Sequence, residues 1–296
     1  MEISSKQVAD LRAETGVGMM ECKKALVEAS GDFEEARKIL RKKGLAAAAS
    51  KAGRATSEGL VVTHVTPKAA VVLEVNCETD FVARTEAFRT FADKLADRIA
   101  AHDAFGEMRA GDAAAAAGLS WPREPSVADA VAQLVGTLKE NIQVRRFARL
   151  VPRPGEIFAS YVHGNGRIGV LVGLPAADEA LAKDLAMHVA ASDPRFAARS
   201  EVTPEVLATE KEIARAQAVA AGKPANVVER IAEGKVEKFY QETVLTEQAF
   251  VKDPEKTVGQ VIVERGGKQA LDLRFVRFKL GEAQGRAAAE GEAPAN

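Results

Sequence analysis

The most constraining feature of the sequence is an apolar segment that ends in a polar corner. Residues 71–75 (VVLEV) predict a buried strand, and residues 76–80 (NCETD) follow directly. Thr79 is a good helix N-cap, and Asp80 suits a first turn, where unpaired N–H groups create positive potential. Phe81 comes next. The pattern leaves open whether Phe81 packs back on its own domain or projects as a wedge for another protein.

A hairpin followed by a helix occurs twice in the sequence pattern. The first predicted hairpin joins strands Gly59–Val65 and Ala69–Asn76, and the second joins Glu156–Val162 and Arg167–Leu174. Each is followed by a helical pattern of apolar residues. The glycines of residues 163–166 (HGNG) suit the positive φ angles of a tight turn. We therefore predict an α+β fold whose core is duplicated in pattern rather than in residue identity.

The N-terminal segment has the pattern of three short helices. Ser4 and Asp32 open two of them with capping-box spacing, and Gly44 is expected to end the third. A bundle of this size is near the lower limit for an independent core, and it is more typical of a docking module than of a catalytic one. The second helix is predicted to have an apolar face made of Met19, Cys22, Leu26 and Ala29.

Two further helices follow the duplicated pattern. Pro204–Ala221 and Asn226–Tyr240 flank a short turn, which predicts an antiparallel helical hairpin that protrudes into solvent. Residues 104–125 are irregular and are predicted to be a long loop or an insertion. Residues 281–296 are rich in Ala, Glu and Gly, so we expect a disordered tail.

These patterns divide the chain into consecutive parts. The predicted parts are a three-helix domain with its linker (1–54), a first core subdomain (55–141), a second core subdomain (142–280) that carries the helical hairpin at about 200–242, and the tail (281–296).

Composition argues against several classes of partner. Lys and Arg total 41 against 42 for Asp and Glu, a net charge of −1, so no strong positive field is available to hold nucleic acid. No apolar run approaches the ~18 residues of a membrane span, and the N-terminus lacks the apolar core of a signal peptide. Two cysteines in unlike contexts argue against a disulfide framework. We expect a cytoplasmic protein without a membrane partner.

The sequence lacks the usual motifs of covalent chemistry. It has no phosphate-binding glycine loop ending in Lys-Ser or Lys-Thr, and its four histidines have no metal-ligand spacing. We therefore expect no cofactor and no metal. Cys22 lies on an apolar helix face and reads as a core residue. Two alternatives stay open: an enzyme that uses Cys77 with a nearby His or Asp, and a nucleic-acid-binding protein.

Several blocks of the sequence resemble the bacterial translation elongation factor Ts family, and they fall in the family's order along most of the chain. They do not include residues 104–125 or the tail. The blocks are residues 11–26 (LRAETGVGMMECKKAL), 74–83 (EVNCETDFVA), 161–164 (YVHG) with 167–171 (RIGVL), and 187–192 (MHVAAS).

This resemblance implies a fold and an activity. The N-terminal bundle is similar to a ubiquitin-associated (UBA-like) domain that docks on the GTPase domain of elongation factor Tu. The two hairpin–helix units resemble the family's core subdomains, and the helical hairpin resembles its coiled coil. The implied activity is guanine-nucleotide exchange by protein–protein binding, without direct nucleotide binding and without enzymatic chemistry. A homodimer and a two-plus-two complex with elongation factor Tu are both left open.

The resemblance also implies which residues meet the partner. Residues 79–82 (Thr79, Asp80, Phe81 and Val82) would disturb the magnesium site of elongation factor Tu, and a second set would make further contacts. That second set is Met19, Met20, Gly164, Arg167 and His188. Local roles remain open for three of them: a turn glycine at 164, a surface charge at 167 and a satisfied core histidine at 188.

Overall fold

The protein is described here from a computed structural model, which covers residues 3–122, 124–176 and 178–282. Both helices and antiparallel sheets are present, as the sequence predicts. The helices of these residues are α1 (Ser5–Thr15), α2 (Met19–Glu28), α3 (Phe33–Lys51), α4 (Asp80–Ala83), α5 (Glu86–Ala101), α6 (Ala113–Ala117), α7 (Val127–Leu138), α8 (Glu179–Ser192), α9 (Pro204–Ala220), α10 (Ala225–Thr243) and α11 (Val258–Gly266).

The strands form three antiparallel sheets. Their order is β1-β2-β4-β3 in the first sheet, β5-β6-β9 in the second and β7-β8 in a two-stranded ribbon. The strands are β1 (Glu58–Val65), β2 (Ala70–Cys77), β3 (Met108–Asp112), β4 (Gln143–Leu150), β5 (Ile157–His163), β6 (Ile168–Leu174), β7 (Ala249–Phe250), β8 (Asp253–Thr257) and β9 (Arg274–Lys279).

The two larger sheets pack face to face between helices. Helices α5 and α7 cover the outer face of the first sheet, and α8 and α11 cover the outer face of the second. Between the sheets lies a buried apolar layer that includes Val72 and Leu171. A Cβ at Gly169 would stand 2.4 Å from Val61, so glycine is needed there for the sheets to approach. Each half of this core thus contains a hairpin packed on the helix that follows it.

The first three helices share a separate apolar cluster that includes Leu11, Cys22 and Leu26. The Ser4 capping box is present, and Asp32 caps α3 by accepting from the Glu35 N–H, as predicted. The predicted end of the third helix at Gly44 is wrong, because α3 continues to Lys51 and takes in much of the expected linker. Its second half packs along α7 of the core.

Gly44 permits this helix crossing. A Cβ at this position would lie 3.2 Å from both the carbonyl oxygen of Ala132 and Oε1 of Gln133, and Gly136 supplies the second small residue of the contact. One turn away, Arg41 donates two hydrogen bonds to Asp129 at 2.8 and 2.9 Å. Packing against α7 therefore outweighs the stop signal that a glycine usually gives.

We expect Gly44→Leu to lower the free energy of unfolding by about 1–3 kcal/mol, because the larger side chain must push α3 away from α7. Urea unfolding followed by circular dichroism measures this. Gly234→Leu is the matched control, since Gly234 lies in helix α10 with no atom near its Cβ position. Its expected effect is neutral or a gain of up to about 1 kcal/mol from helix propensity. Equal losses in both variants would contradict the role given to the crossing.

Other parts of the chain differ in part from the sequence pattern. Helices α9 and α10 form the predicted antiparallel hairpin. The segment predicted as an irregular insertion, residues 104–125, instead contains strand β3 and the short helix α6. Of the predicted tail, residues 283–296 lie outside the described residues. Among the residues that the structure covers, no helix has the length and apolar character needed to cross a membrane.

Candidate functional site

The polar corner after β2 is a capped helix start. Thr79 has extended backbone angles, and its Oγ1 accepts the N–H of Val82 at 3.4 Å, which makes Thr79 the N-cap of α4. Asp80 then occupies the first turn, where the helix dipole stabilises a carboxylate. The local prediction for both residues is confirmed. The short helix therefore begins at a fixed point and presents its first turn outward.

Phe81 projects from this turn into solvent. With 79% of its surface exposed, it is the most exposed large apolar side chain of the described residues. The alternative in which Phe81 packs on its own domain is therefore wrong for the free protein. Val82, by contrast, is partly buried and packs on the core beneath the corner. The first turn of α4 thus presents Phe81 to solvent, while Val82 anchors this turn on the core.

Asp80 is already paired. Its Oδ2 accepts from Nη2 of Arg84 at 2.8 Å, one helical turn later, and both side chains are substantially exposed. Exposed pairs of this spacing contribute only about 0.3–0.5 kcal/mol. A donor from another protein could therefore replace Arg84 at small cost.

The structure brings the second hairpin turn close to this corner. Gly164, Asn165 and Gly166 all have positive φ, which confirms the predicted turn. Arg167 is exposed and forms an ion pair with Glu58 at 3.2 Å. The corner and the turn line one groove, although they lie far apart in the sequence. Its lining residues are Glu58, Gly59, Asp80, Arg84, Arg89, Gly164, Asn165, Arg167 and Leu280.

Comparison with known proteins identifies the family. A sequence profile described as "Elongation factor TS" matches residues 78–282. The chain is 48% identical to elongation factor Ts of Methylococcus capsulatus, covering 95% of this chain and 93% of the relative. It is 44% identical to the factors of Syntrophotalea carbinolica and Thioalkalivibrio sulfidiphilus, covering 95% of this chain and 94% or 93% of the relatives. The chain belongs to the elongation factor Ts family. It is thus a translation elongation factor, of the exchange-factor class.

The two methionines of the N-terminal helices, Met19 and Met20, are exposed. Met20 has 64% and Met19 has 43% of its surface in solvent. The prediction that Met19 shares the buried face of α2 with Cys22 and Leu26 is therefore wrong, because helix α2 only begins at Met19 and α1 and α3 do not cover that end. Their exposure is compatible with the contact role that the family resemblance implies.

His188 has a different environment from the one a contact residue needs. It is fully buried, and its Nε2 lies 2.9 Å from Oε1 of Gln248. The N–H of Val251 donates to Nδ1 at 3.3 Å, so Nδ1 is the acceptor and Nε2 carries the proton. Burial lowers the pKa of His188, and the Gln248 hydrogen bond only partly opposes this. His188 is a satisfied core histidine, and a direct partner contact would require it to leave the core.

The two cysteines of the chain are also core residues. Cys22 and Cys77 are both buried. Burial, helped by the negative charge of Glu140, raises the pKa of the Cys77 thiol to about 12, and Sγ donates to the carbonyl of Thr79 at 3.2 Å. Burial also raises the pKa of the Cys22 thiol. Both shifts favour the protonated thiol at neutral pH, and the thiolate is the reactive form.

One residue of the site was missed by reasoning from the sequence. The carboxylate of Glu140, 61 residues from Thr79 along the chain, accepts the Thr79 hydroxyl at 2.6 Å. No local pattern indicates this contact, because a lone Glu after a helix is usually a solvated charge.

Within the described ranges, no group of three or more His, Cys, Asp or Glu side chains is arranged to hold a metal ion.

Proposed function

We propose that this chain binds elongation factor Tu in its GDP form and promotes GDP release by disturbing the partner's magnesium and phosphate site. The single observation that carries the proposal is Phe81, a large apolar side chain held at 79% exposure beside an acid on a capped helix start. A partner pocket that takes up this ring would remove its apolar surface from water, as aromatic anchors do at protein interfaces. Membership of the elongation factor Ts family supplies the partner.

The proposed mechanism requires no contact with the nucleotide. GDP on a GTPase is held by backbone N–H groups, a lysine and an octahedral Mg²⁺. A protein that binds the nucleotide-free form more tightly weakens GDP by the same factor by which GDP weakens its own binding. A coupling free energy of about 4 kcal/mol corresponds to roughly a thousandfold change in affinity. Differential contact energy is therefore sufficient.

The residues at the corner would divide this task. Phe81 would enter an apolar slot that the partner opens only in its shifted state, and Asp80 would exchange Arg84 for a donor of the partner. The neighbouring groove with Gly164 and Arg167 would extend the contact, while Met19 and Met20 would dock the N-terminal helices. We do not include His188 among the contacts, because its side chain is fully buried.

The test is release of a fluorescent GDP analogue from elongation factor Tu in the presence of Mg²⁺. The expected result is a rate that rises with the concentration of this protein and then saturates. Excess unlabelled GDP in every reaction prevents rebinding. A rate that is the same with and without this protein contradicts the proposal.

Alkylation distinguishes an exchange factor from a thiol enzyme. With its pKa at about 12, Cys77 carries only about one part in ten thousand of thiolate near pH 8. We therefore expect iodoacetamide to leave both cysteines of the folded protein unmodified, as read by mass spectrometry, and to leave exchange activity intact. The same treatment in urea should modify both. Rapid labelling of folded Cys77 with loss of activity would favour the enzyme instead.

A further inference from the structure

Glu140 lies between the end of α7 and the start of β4, and its carboxylate contacts three donors of the polar corner. Oε2 accepts the backbone N–H of Glu78 at 3.1 Å and that of Thr79 at 2.9 Å. Oε1 accepts the Thr79 hydroxyl at 2.6 Å. These N–H groups lie just beyond the end of β2, where no neighbouring strand pairs them. One carboxylate thus satisfies both of these backbone N–H groups.

The contact is reciprocal and extends to the segment that follows helix α3. The carboxylate of Glu78 accepts the N–H of Asn141 at 2.6 Å. The side-chain amide of Asn141 in turn donates to the carbonyl of Arg54 at 2.8 Å, just after α3 ends. Two adjacent residues of one segment therefore hold two adjacent residues of the other. We call this set of Glu78, Thr79, Glu140 and Asn141 the clasp.

The clasp also sets the orientation of the Thr79 hydroxyl. A hydroxyl has one proton to donate and lone pairs to accept with. Because the proton is given to Glu140, a lone pair is left to accept the N–H of Val82 and so to start α4. Phe81 has almost no packing of its own, since it is 79% exposed. Its direction is therefore fixed by the backbone on which it stands, and Glu140 holds that backbone.

We propose that Glu140 is a positioning residue for nucleotide exchange: it fixes the orientation in which Asp80 and Phe81 meet the partner, without contacting the partner itself. This inference rests on the proposed function. A wedge contributes to exchange only when its ring meets the slot in the right orientation, and a side chain that must first be ordered loses part of its binding free energy. Loss of the carboxylate would leave Phe81 in place but free to reorient.

The experiment compares Glu140→Ala, Glu140→Gln and Phe81→Ala with the parent in the full chain. Glu140→Ala is expected to lower the maximal GDP-release rate at saturating protein about fivefold, while the half-saturating concentration changes less than about threefold. Glu140→Gln keeps one acceptor oxygen and should lie in between. Hydrogen–deuterium exchange of the free protein should show the amides of residues 78–82 exchanging about tenfold faster in Glu140→Ala. Glu255→Ala, which removes an exposed carboxylate of strand β8, should match the parent in both measurements.

The outcomes separate this inference from the proposed function. If Phe81→Ala slows release and Glu140→Ala does not, Glu140 has no positioning role. If neither the parent nor any variant accelerates GDP release, the proposed function fails. The deuterium exchange then still shows whether Glu140 holds the backbone of residues 78–82. If Glu140→Ala does not fold, Glu140→Gln decides: a maximal rate equal to that of the parent, with unchanged amide exchange at residues 78–82, overturns the inference.

Discussion

Replacing Phe81 with alanine is expected to lower the maximal rate of GDP release from elongation factor Tu at least about tenfold. Burying a phenylalanine in a partner contributes about 2–3 kcal/mol, which corresponds to a factor of roughly 30–150 in an equilibrium or rate constant. Some of this factor is lost if the slot does not close fully around the ring. The measurement is stopped-flow release of a fluorescent GDP at saturating variant.

The same substitution is expected to leave the fold unchanged. Because Phe81 is 79% exposed in the free protein, its removal should change the free energy of unfolding by less than about 0.5 kcal/mol. Phe81→Leu keeps part of the apolar surface and should retain part of the rate. Val263→Ala is the control for truncating an exposed apolar side chain elsewhere, since Val263 is 38% exposed on α11. A Phe81→Ala rate equal to that of the parent rules out the wedge.

Local sequence signals predicted those parts of the fold whose causes are local. Helices α1 and α3 begin where predicted, because the side chains of Ser4 and Asp32 cap them. The turn at residues 163–166 was predictable since its glycines accept positive φ at little cost. Both hairpins follow from apolar runs that are separated by short turns.

Sequence signals failed where a distant contact outweighed the local preference. Gly44 reads as a helix end, yet packing on α7 continues the helix to Lys51. Residues 108–112 have little strand character, yet they become strand β3 because the edge of β4 is available for pairing. Met19 fits the helical spacing of a buried face, but no other helix covers it. The first two errors concern contacts between segments that lie far apart in the sequence, and the third concerns a contact that does not form.

The candidate site was predictable in its exposed part and not in its support. The N-cap at Thr79 and the acid at Asp80 follow from helix-terminus chemistry, and the resemblance to a family directed attention to Phe81. The position of Glu140 could not be predicted, because its three hydrogen bonds exist only after β2 and β4 have paired. The burial of His188 was likewise undecidable, since histidine occurs both in cores and at surfaces.

A second unpredicted contact joins the two sheets. Glu74 and Arg146 lie directly opposite each other on β2 and β4, and both are buried. Nε of Arg146 donates to Glu74 Oε2 at 2.7 Å, and its guanidinium stacks over the ring of Phe278, 4.2 Å from the centroid. Glu74 Oε1 also accepts the N–H of Gly281 at 2.9 Å. The pair therefore ties the first sheet to the end of β9 in the second.

Arg146→Met is expected to lower the free energy of unfolding by about 3–5 kcal/mol, because it leaves the Glu74 carboxylate buried without its main partner. Urea unfolding measures this. Glu74→Met should also destabilise the protein, but by less, because the Arg146 guanidinium keeps the Lys279 carbonyl at 3.1 Å and Glu282 Oε2 at 3.7 Å. The double variant removes both charges together, so its loss should be smaller than the sum of the two single losses by at least about 2 kcal/mol. Additive losses would mean that the two side chains contribute to stability independently of each other.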